Sequence, residues 1–344
     1  MAQEAGSDEL TMRGQVVEII GAILADTEPR GEESRNKLRR LVEAHPGNPE
    51  AALLEHLIET REVAEAEREV PVEQASANLH LESSDNAQTV AVPVSHAVRE
   101  DIQAILKDKL LLTAFQPVHA LPGGEVVGVE ALTRFVGVDG AGADVWFREA
   151  EEAGLGTELE IAALLCALTA AKDVPEDIAV ALNLTPATSR DPRVRNLLAA
   201  SPLAPERIII ELNGSLAGAG VHSSDGLGPL RRLGLRIAVS ASGAGYVSMD
   251  RLEELNPDII KLDRHLIEGI GSSDGQKLRA RAVAELAREL GAFVVAEGVE
   301  TPEELDEVTA LDITAAQGYL LGRPSVHPLD WSAWSIKAQA QPAQ

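Results

Sequence analysis

The chain has 344 residues, 45% hydrophobic and 25% charged, long enough for a large core and a smaller module. Its formal net charge of −25 and its 3% aromatic content exclude non-specific binding to nucleic acid or to an anionic lipid surface, and exclude stacking platforms for single strands. No apolar run approaches the roughly 18–20 residues of a membrane span, MAQEAGSDEL lacks a basic head and apolar core, and a single cysteine excludes a disulfide framework. The expectation is a cytoplasmic protein, with Cys166 in IAALLCALTA a buried, inert thiol.

Residues 1–70 read as a small, acidic helical region suited to interaction or dimerisation. In GQVVEIIGAILADT (14–27), Val17, Ile20, Ile23 and Leu24 are spaced for one helix face. SRNKLRRLVEAH (34–45) follows, with Ser34 as N-cap. HPGNPEAALLE looks faintly like one turn and helix of a tetratricopeptide repeat. A single repeat cannot bury its own face and there is no second copy, so a small bundle is the preferred reading. Residues 71–95 are polar and without periodicity, and read as a linker.

The texture changes at residue 96. HAVREDIQAILKDKL reads as a helix. TAFQPVHAL (113–121) and EVVGVEALTRF (125–135) flank Pro122-Gly123-Gly124 and predict a hairpin. Short, almost wholly apolar strands follow: DIAVALNL (177–184), RIIIEL (207–212), LRIAVS (235–240), DIIKLD (258–263) and GAFVVAE (291–297). Such runs fit a parallel sheet buried on both faces. Helical patterns separate them, and in 276–290 Leu278, Ala282, Leu286 and Leu290 are expected to form the buried stripe. The fold class is α/β: a (β/α)8 TIM-like barrel over 96–337 with an antiparallel first strand pair, then a disordered tail over 338–344.

The strands end in chemistry: Glu130, Asn183, Glu211, Ser240, Lys261 with Asp263, and Glu297, with Gln317 following in TAAQGYLLGRP. In such barrels the C-terminal strand ends form the active face, so a shared pocket is expected. Glu130, Asn183 and Glu211 are hard oxygen donors suited to Mg²⁺ or Mn²⁺, whereas the scattered histidines give no zinc spacing. Lys261 can hold a water or a phosphate oxygen.

Several of these residues fall in motifs. Gln116 lies in AFQPV, Glu130-Ala131-Leu132 is followed by Arg134, and AEEAGL (150–155), NLT (183–185), Glu211 in ELNGS, IKLDR (260–264), AEGVE (296–300) and QGYLLGRP (317–324) succeed one another. Eight such motifs in order over roughly 240 residues resemble the EAL domain family, barrel phosphodiesterases that open cyclic di-GMP to linear pGpG. The resemblance implies Glu130, Asn183 and Glu211 as metal ligands, with Lys261 and Glu297 assisting the water and the metals. It implies a nucleotide site lined by Gln116, Glu130, Leu132, Arg134, Asn183, Asp263 and Gln317.

One stretch departs from the family. Where members carry D-D-F-G-T-G-Y, this chain reads Ser240-Ala241-Ser242-Gly243-Ala244-Gly245-Tyr246. Both loop aspartates are absent. The glutamate that members carry three residues after the ELT-type glutamate is replaced by Gly214. A neutral serine hydroxyl is a weak Mg²⁺ ligand and alanine offers nothing. The expected function is a degenerate, inactive EAL protein acting as a cyclic di-GMP receptor, with no cofactor required and Mg or Mn relevant only to residual activity. Two alternatives stand beside it: a protein-interaction scaffold that has given up the nucleotide, and a weakly active metal-dependent phosphodiesterase. Residues 1–96 carry 19 acidic and eight basic residues, which fits contact with an unidentified protein partner; a homodimer is also open.

Overall fold

The computed structural model describes residues 96–136, 142–213, 223–241, 249–334 and 32–47, with isolated positions between 16 and 24 and between 49 and 56. The expected linker 71–95, the tail 338–344, Gly214 and residues 242–248 of the glycine-broken loop lie outside the described residues, as does Ile23. Two compact units are present: residues 1–111 with 135–159, and residues 112–134 with 160–344.

In the first unit, α1 spans Glu32–Ala44 and α2 His96–Asp108. The N-cap expectation at Ser34 is corrected: α1 begins two residues earlier, so Ser34 lies in its first turn. The face expected in 14–27 is also shifted. Val16 and Ile20 are buried while Val17 is exposed, because a helix face centred on Val16 still includes Ile20 one turn on. Helix α3 (Ala143–Glu152) buries Trp146, whose ring stacks on Phe135 at 5.8 Å between centroids. Arg99 of α2 donates to the Ala153 carbonyl at 2.8 Å.

Eight strands close into a barrel in chain order: β1 (Leu111–Ala120), β2 (Val126–Phe135), β3 (Ala179–Leu184), β4 (Ile208–Leu212), β5 (Arg236–Ser240), β6 (Ile259–Leu262), β7 (Phe293–Ala296) and β8 (Ala315–Ala316). Strands β2 to β8 run parallel and β1 runs antiparallel to β8, giving the expected antiparallel first pair. Ala120 and Gly124 close the β1–β2 turn through Ala120 N to Glu125 O at 2.9 Å and Gly124 N to Ala120 O at 2.7 Å.

Helices α4 (Gly156–Ala170), α5 (Pro192–Ala199), α6 (Ser223–Arg232), α7 (Met249–Leu255), α8 (Arg264–Ile267), α9 (Asp274–Leu290) and α10 (Pro302–Ala310) alternate with the strands, and α11 (Pro328–Ser332) follows β8. The stripe expected on α9 is corrected. Leu278 is 68% exposed, and Ala280, Val283, Ala284 and Ala287 form the buried seam with Leu286 beside it. Alanines at i, i+4 and i+7, with a valine at i+3, let the helix approach the sheet closely, and the larger leucines misled the phase. Cys166 of α4 is partly buried, 3.5 Å from the Thr113 hydroxyl, and burial pushes its thiol pKa up.

The interior of the barrel is built in layers. Ala179, Ile209, Ala238, Ile259, Val295 and Ala315 form one apolar layer, with Val118 and Ala181 packed against it. Two residues further along β4 to β8, on the same face of each strand, come Glu211, Ser240, Lys261, Glu297 and Gln317. The intervening residues Ile210, Val239, Ile260, Ala296 and Ala316 are buried against the outer helices. Burial on both sides explains why these strands read as unbroken apolar runs ending in a polar residue.

Candidate functional site

Every predicted site residue within the described residues belongs to the second unit. Lys261 is at the centre, 4% exposed. Its ammonium lies 2.5 Å from Glu211 Oε2, 3.1 Å from Glu130 Oε2, and in contact with Glu297 Oε1. The three glutamates place carboxylate oxygens within 4.8 Å of one another. Glu130 is further held by Gln317, whose Nε2 donates to Oε2 at 2.6 Å, and by Asn183, whose Nδ2 donates to Oε1 at 3.1 Å.

The ladder fixes these positions. Glu211 pairs with Ala238 and Asn183 with Glu211; Ser240 pairs with Lys261. Glu297 and Gln317 lie one residue past their strands, yet Glu297 N bonds Leu262 O and Gln317 N bonds Ala296 O, both at 2.8 Å, so the alternation continues. Gly318 is required beside Gln317: a Cβ there would lie 2.0 Å from the Val299 carbonyl oxygen.

Burial and charge divide the glutamates. Desolvation opposes ionisation of Glu130, but the Lys261 charge and hydrogen bonds from Gln317 and Asn183 outweigh it and hold its pKa below the ordinary value. Glu211 is pushed up to about 8, first by desolvation and then by repulsion from Glu130 and Glu297, against attraction from Lys261. Glu297 is raised, mainly by desolvation. Lys261 is itself opposed by desolvation, yet the three carboxylates hold it well above its ordinary value and charged.

The wall formed by β5 differs. Ser240 is partly buried beside Lys261, and Ala241 is 4% exposed with its N–H donating to Lys261 O at 2.9 Å. Neither carries a carboxylate. The donor set therefore fits one hard cation on the Glu130, Asn183, Glu211 and Glu297 side, and among the described residues β5 itself provides no anionic ligand for a second.

The remaining expected residues lie around this cluster. Gln116 of β1 donates to the Gly322 carbonyl at 3.0 Å. Arg134 and Leu132 lie at the end of β2, both partly buried, with an Arg134 guanidinium nitrogen 3.0 Å from Thr133 O. Asp263, just past β6, accepts from Leu266 N at 3.2 Å and caps α8. Sequence reading missed Asn213. Its Nδ2 donates to Asn183 Oδ1 at 2.6 Å. The available signal was the strand alternation from Ile209 and Glu211, carried one step past the apolar run.

Comparison with known proteins agrees with this geometry. Residues 99–324 match the EAL domain family. An uncharacterized signaling protein of Caulobacter vibrioides is 34% identical over 239 residues, which are 67% of this chain and 29% of that protein. The cyclic di-GMP phosphodiesterase RocR of Pseudomonas aeruginosa is 30% identical over 243 residues, 64% of this chain and 59% of that protein. The chain thus spans less than two thirds of the length of these relatives. Among solved structures, the PaMucR phosphodiesterase in complex with c-di-GMP superposes with a TM-score of 0.60 at 29% identity, covering 67% of this chain and 97% of that one. Klebsiella pneumoniae BlrP1 with manganese and cyclic di-GMP gives 0.56 at 28%, covering 63% of this chain and 56% of that one. Together, the barrel with its antiparallel first pair, the acidic cluster around Lys261 and the match over 99–324 place this chain in the EAL domain family.

Proposed function

We propose that this chain binds cyclic di-GMP without hydrolysing it and serves as a receptor or regulatory module. The observation that carries this is the end of β5, where Ser240 and Ala241 stand against Lys261 and leave that wall of the pocket uncharged. Opening a phosphodiester with two metals needs ions on both the attacking and the leaving oxygen. A single Mg²⁺ or Mn²⁺ on Glu130, Asn183, Glu211 and Glu297 would supply Lewis-acid charge on one side only.

What this chain's own residues do is hold the ligand. Lys261, already neutralised by its glutamates, keeps Glu130 and Glu211 in place without a metal. Gln317 is fixed by donating to Glu130, and its Oε1 is buried with no hydrogen-bond partner among the described residues. That oxygen is an acceptor awaiting an N–H or O–H of a ligand. Arg134 supplies a guanidinium suited to phosphate. Occupancy would then be read by the helical region, in which the acidic residues of 1–96 favour a protein contact. No described helix is long and apolar enough to cross a membrane, and the single cysteine suits action in the cytoplasm.

A second reading, slow hydrolysis with one metal, is favoured by the three converging carboxylates. Calorimetric titration of cyclic di-GMP in EDTA and in Mg²⁺, with chromatography for pGpG, separates the two. Binding in EDTA, with the ligand recovered intact in Mg²⁺ as well, supports the receptor. Binding only with Mg²⁺, accompanied by pGpG, supports the enzyme.

A further inference from the structure

Glu130, Glu211 and Glu297 bring carboxylate oxygens within 4.8 Å of one another, and the neutral amide of Asn183 abuts Glu130. Its orientation is determined by its neighbours. Asn183 Nδ2 lies 3.1 Å from two acceptors, Glu130 Oε1 and the Ala131 carbonyl, so the nitrogen must occupy that side and Oδ1 the other. Oδ1 is thereby presented as a hard donor of the kind a divalent cation takes. Asn213 meets it there with an N–H at 2.6 Å. Asn213 is held in turn by the strand ladder, its own N–H donating to Leu184 O at 3.0 Å.

We propose that Asn213 is a cation-excluding residue. Its amide hydrogen carries the positive end of the dipole to the oxygen a metal ion would use, and it keeps Asn183 oriented on Glu130 when no ion is present. The pocket is then preorganised by an amide and an ammonium, Asn213 on one side and Lys261 on the other. This inference rests on the receptor reading, because a pocket that must be filled by metal gains nothing from it.

The size of the effect follows from the exchange. Binding an ion at Asn183 Oδ1 must first give up one side-chain hydrogen bond, worth about 0.5–1.5 kcal/mol, which corresponds to a factor of about two to ten in affinity. The test is Mn²⁺ binding, read by electron paramagnetic resonance of the free ion, for the full chain and for Asn213→Ala. Asn213→Leu, of similar size and without a side-chain donor, serves if the alanine variant loses its folded circular dichroism signal. The expected result is Mn²⁺ affinity raised about two- to tenfold in the variant. Equal or weaker Mn²⁺ affinity in the variant overturns the inference. Cyclic di-GMP titrated into the wild type in EDTA keeps the two ideas apart. Binding there with unchanged Mn²⁺ affinity in the variant removes only the role of Asn213. Absence of that binding removes the receptor reading and this inference with it.

Discussion

Lys261 Nζ lies 2.5 Å from Glu211 Oε2, although the two residues stand on β6 and β4 with β5 between them. The contact passes over the end of β5, where Ser240 and Ala241 are small. One ammonium on β6 thus holds together carboxylates from three other strand ends, those of β2, β4 and β7.

Removing that ammonium leaves Glu130, Glu211 and Glu297 facing one another without a counter-charge. Lys261→Met is expected to destabilise the fold by about 3–5 kcal/mol, the usual cost of leaving buried charge unpaired. The loss should be larger at pH 8 than at pH 5, because protonation relieves the repulsion at low pH. Urea denaturation at the two pH values measures it, and an equal loss at both would contradict the electrostatic account.

Glu211 sets a pH dependence of definite sign. Its folded pKa is about 8 against an ordinary 4.5. Between these values the unfolded chain releases the proton and the folded chain keeps it. The unfolded state then binds fewer protons, and stability falls as pH rises through this window. Glu211→Gln removes the contribution, so its stability relative to wild type should improve steadily from pH 5 to pH 8. Melting temperatures across that range show it directly.

Restoring charge to the β5 wall should create affinity for a divalent ion. Ala241 is buried, so Ala241→Asp takes a carboxylate out of water. In EDTA the variant should melt below wild type, and Mn²⁺ should recover part of the difference. Ser240→Asp with Ala241→Asp and Gly214→Glu should gain Mn²⁺-dependent pGpG formation of at least about tenfold over wild type, equivalent to about 1.4 kcal/mol of transition-state stabilisation. A folded triple variant that binds Mn²⁺ and forms no pGpG would show that the pocket has diverged beyond these three positions.

Gln317 should matter for ligand binding more than for folding. Gln317→Ala removes one hydrogen bond to Glu130 and the unmet Oε1 acceptor. Cyclic di-GMP affinity is expected to drop about tenfold or more. An unchanged affinity would exclude this oxygen as a ligand contact.

Much of the barrel was legible in sequence because strands buried on both faces leave an unmistakable apolar run, and Pro122-Gly123-Gly124 marks the hairpin. The polar residue closing each run was legible for the same reason. Helix phase was not. On α9 the seam follows alanines, and Leu278, the most conspicuous apolar residue, faces outward. Periodicity weighted by size fails where close helix–sheet approach selects small side chains. Asn213 escaped notice because it lies past the apolar run, and its partner Asn183 is 30 residues away in sequence. Pairing across a parallel sheet depends on register, which no local pattern in the sequence fixes.

The central claim is that the pocket holds cyclic di-GMP and leaves it intact. Equilibrium dialysis with radiolabelled cyclic di-GMP in Mn²⁺, followed by chromatography of the ligand recovered from the protein chamber, reads both halves at once. The account predicts ligand concentrated with the protein and recovered as the intact cyclic dinucleotide. Recovery as pGpG, or equal label in both chambers, would contradict it.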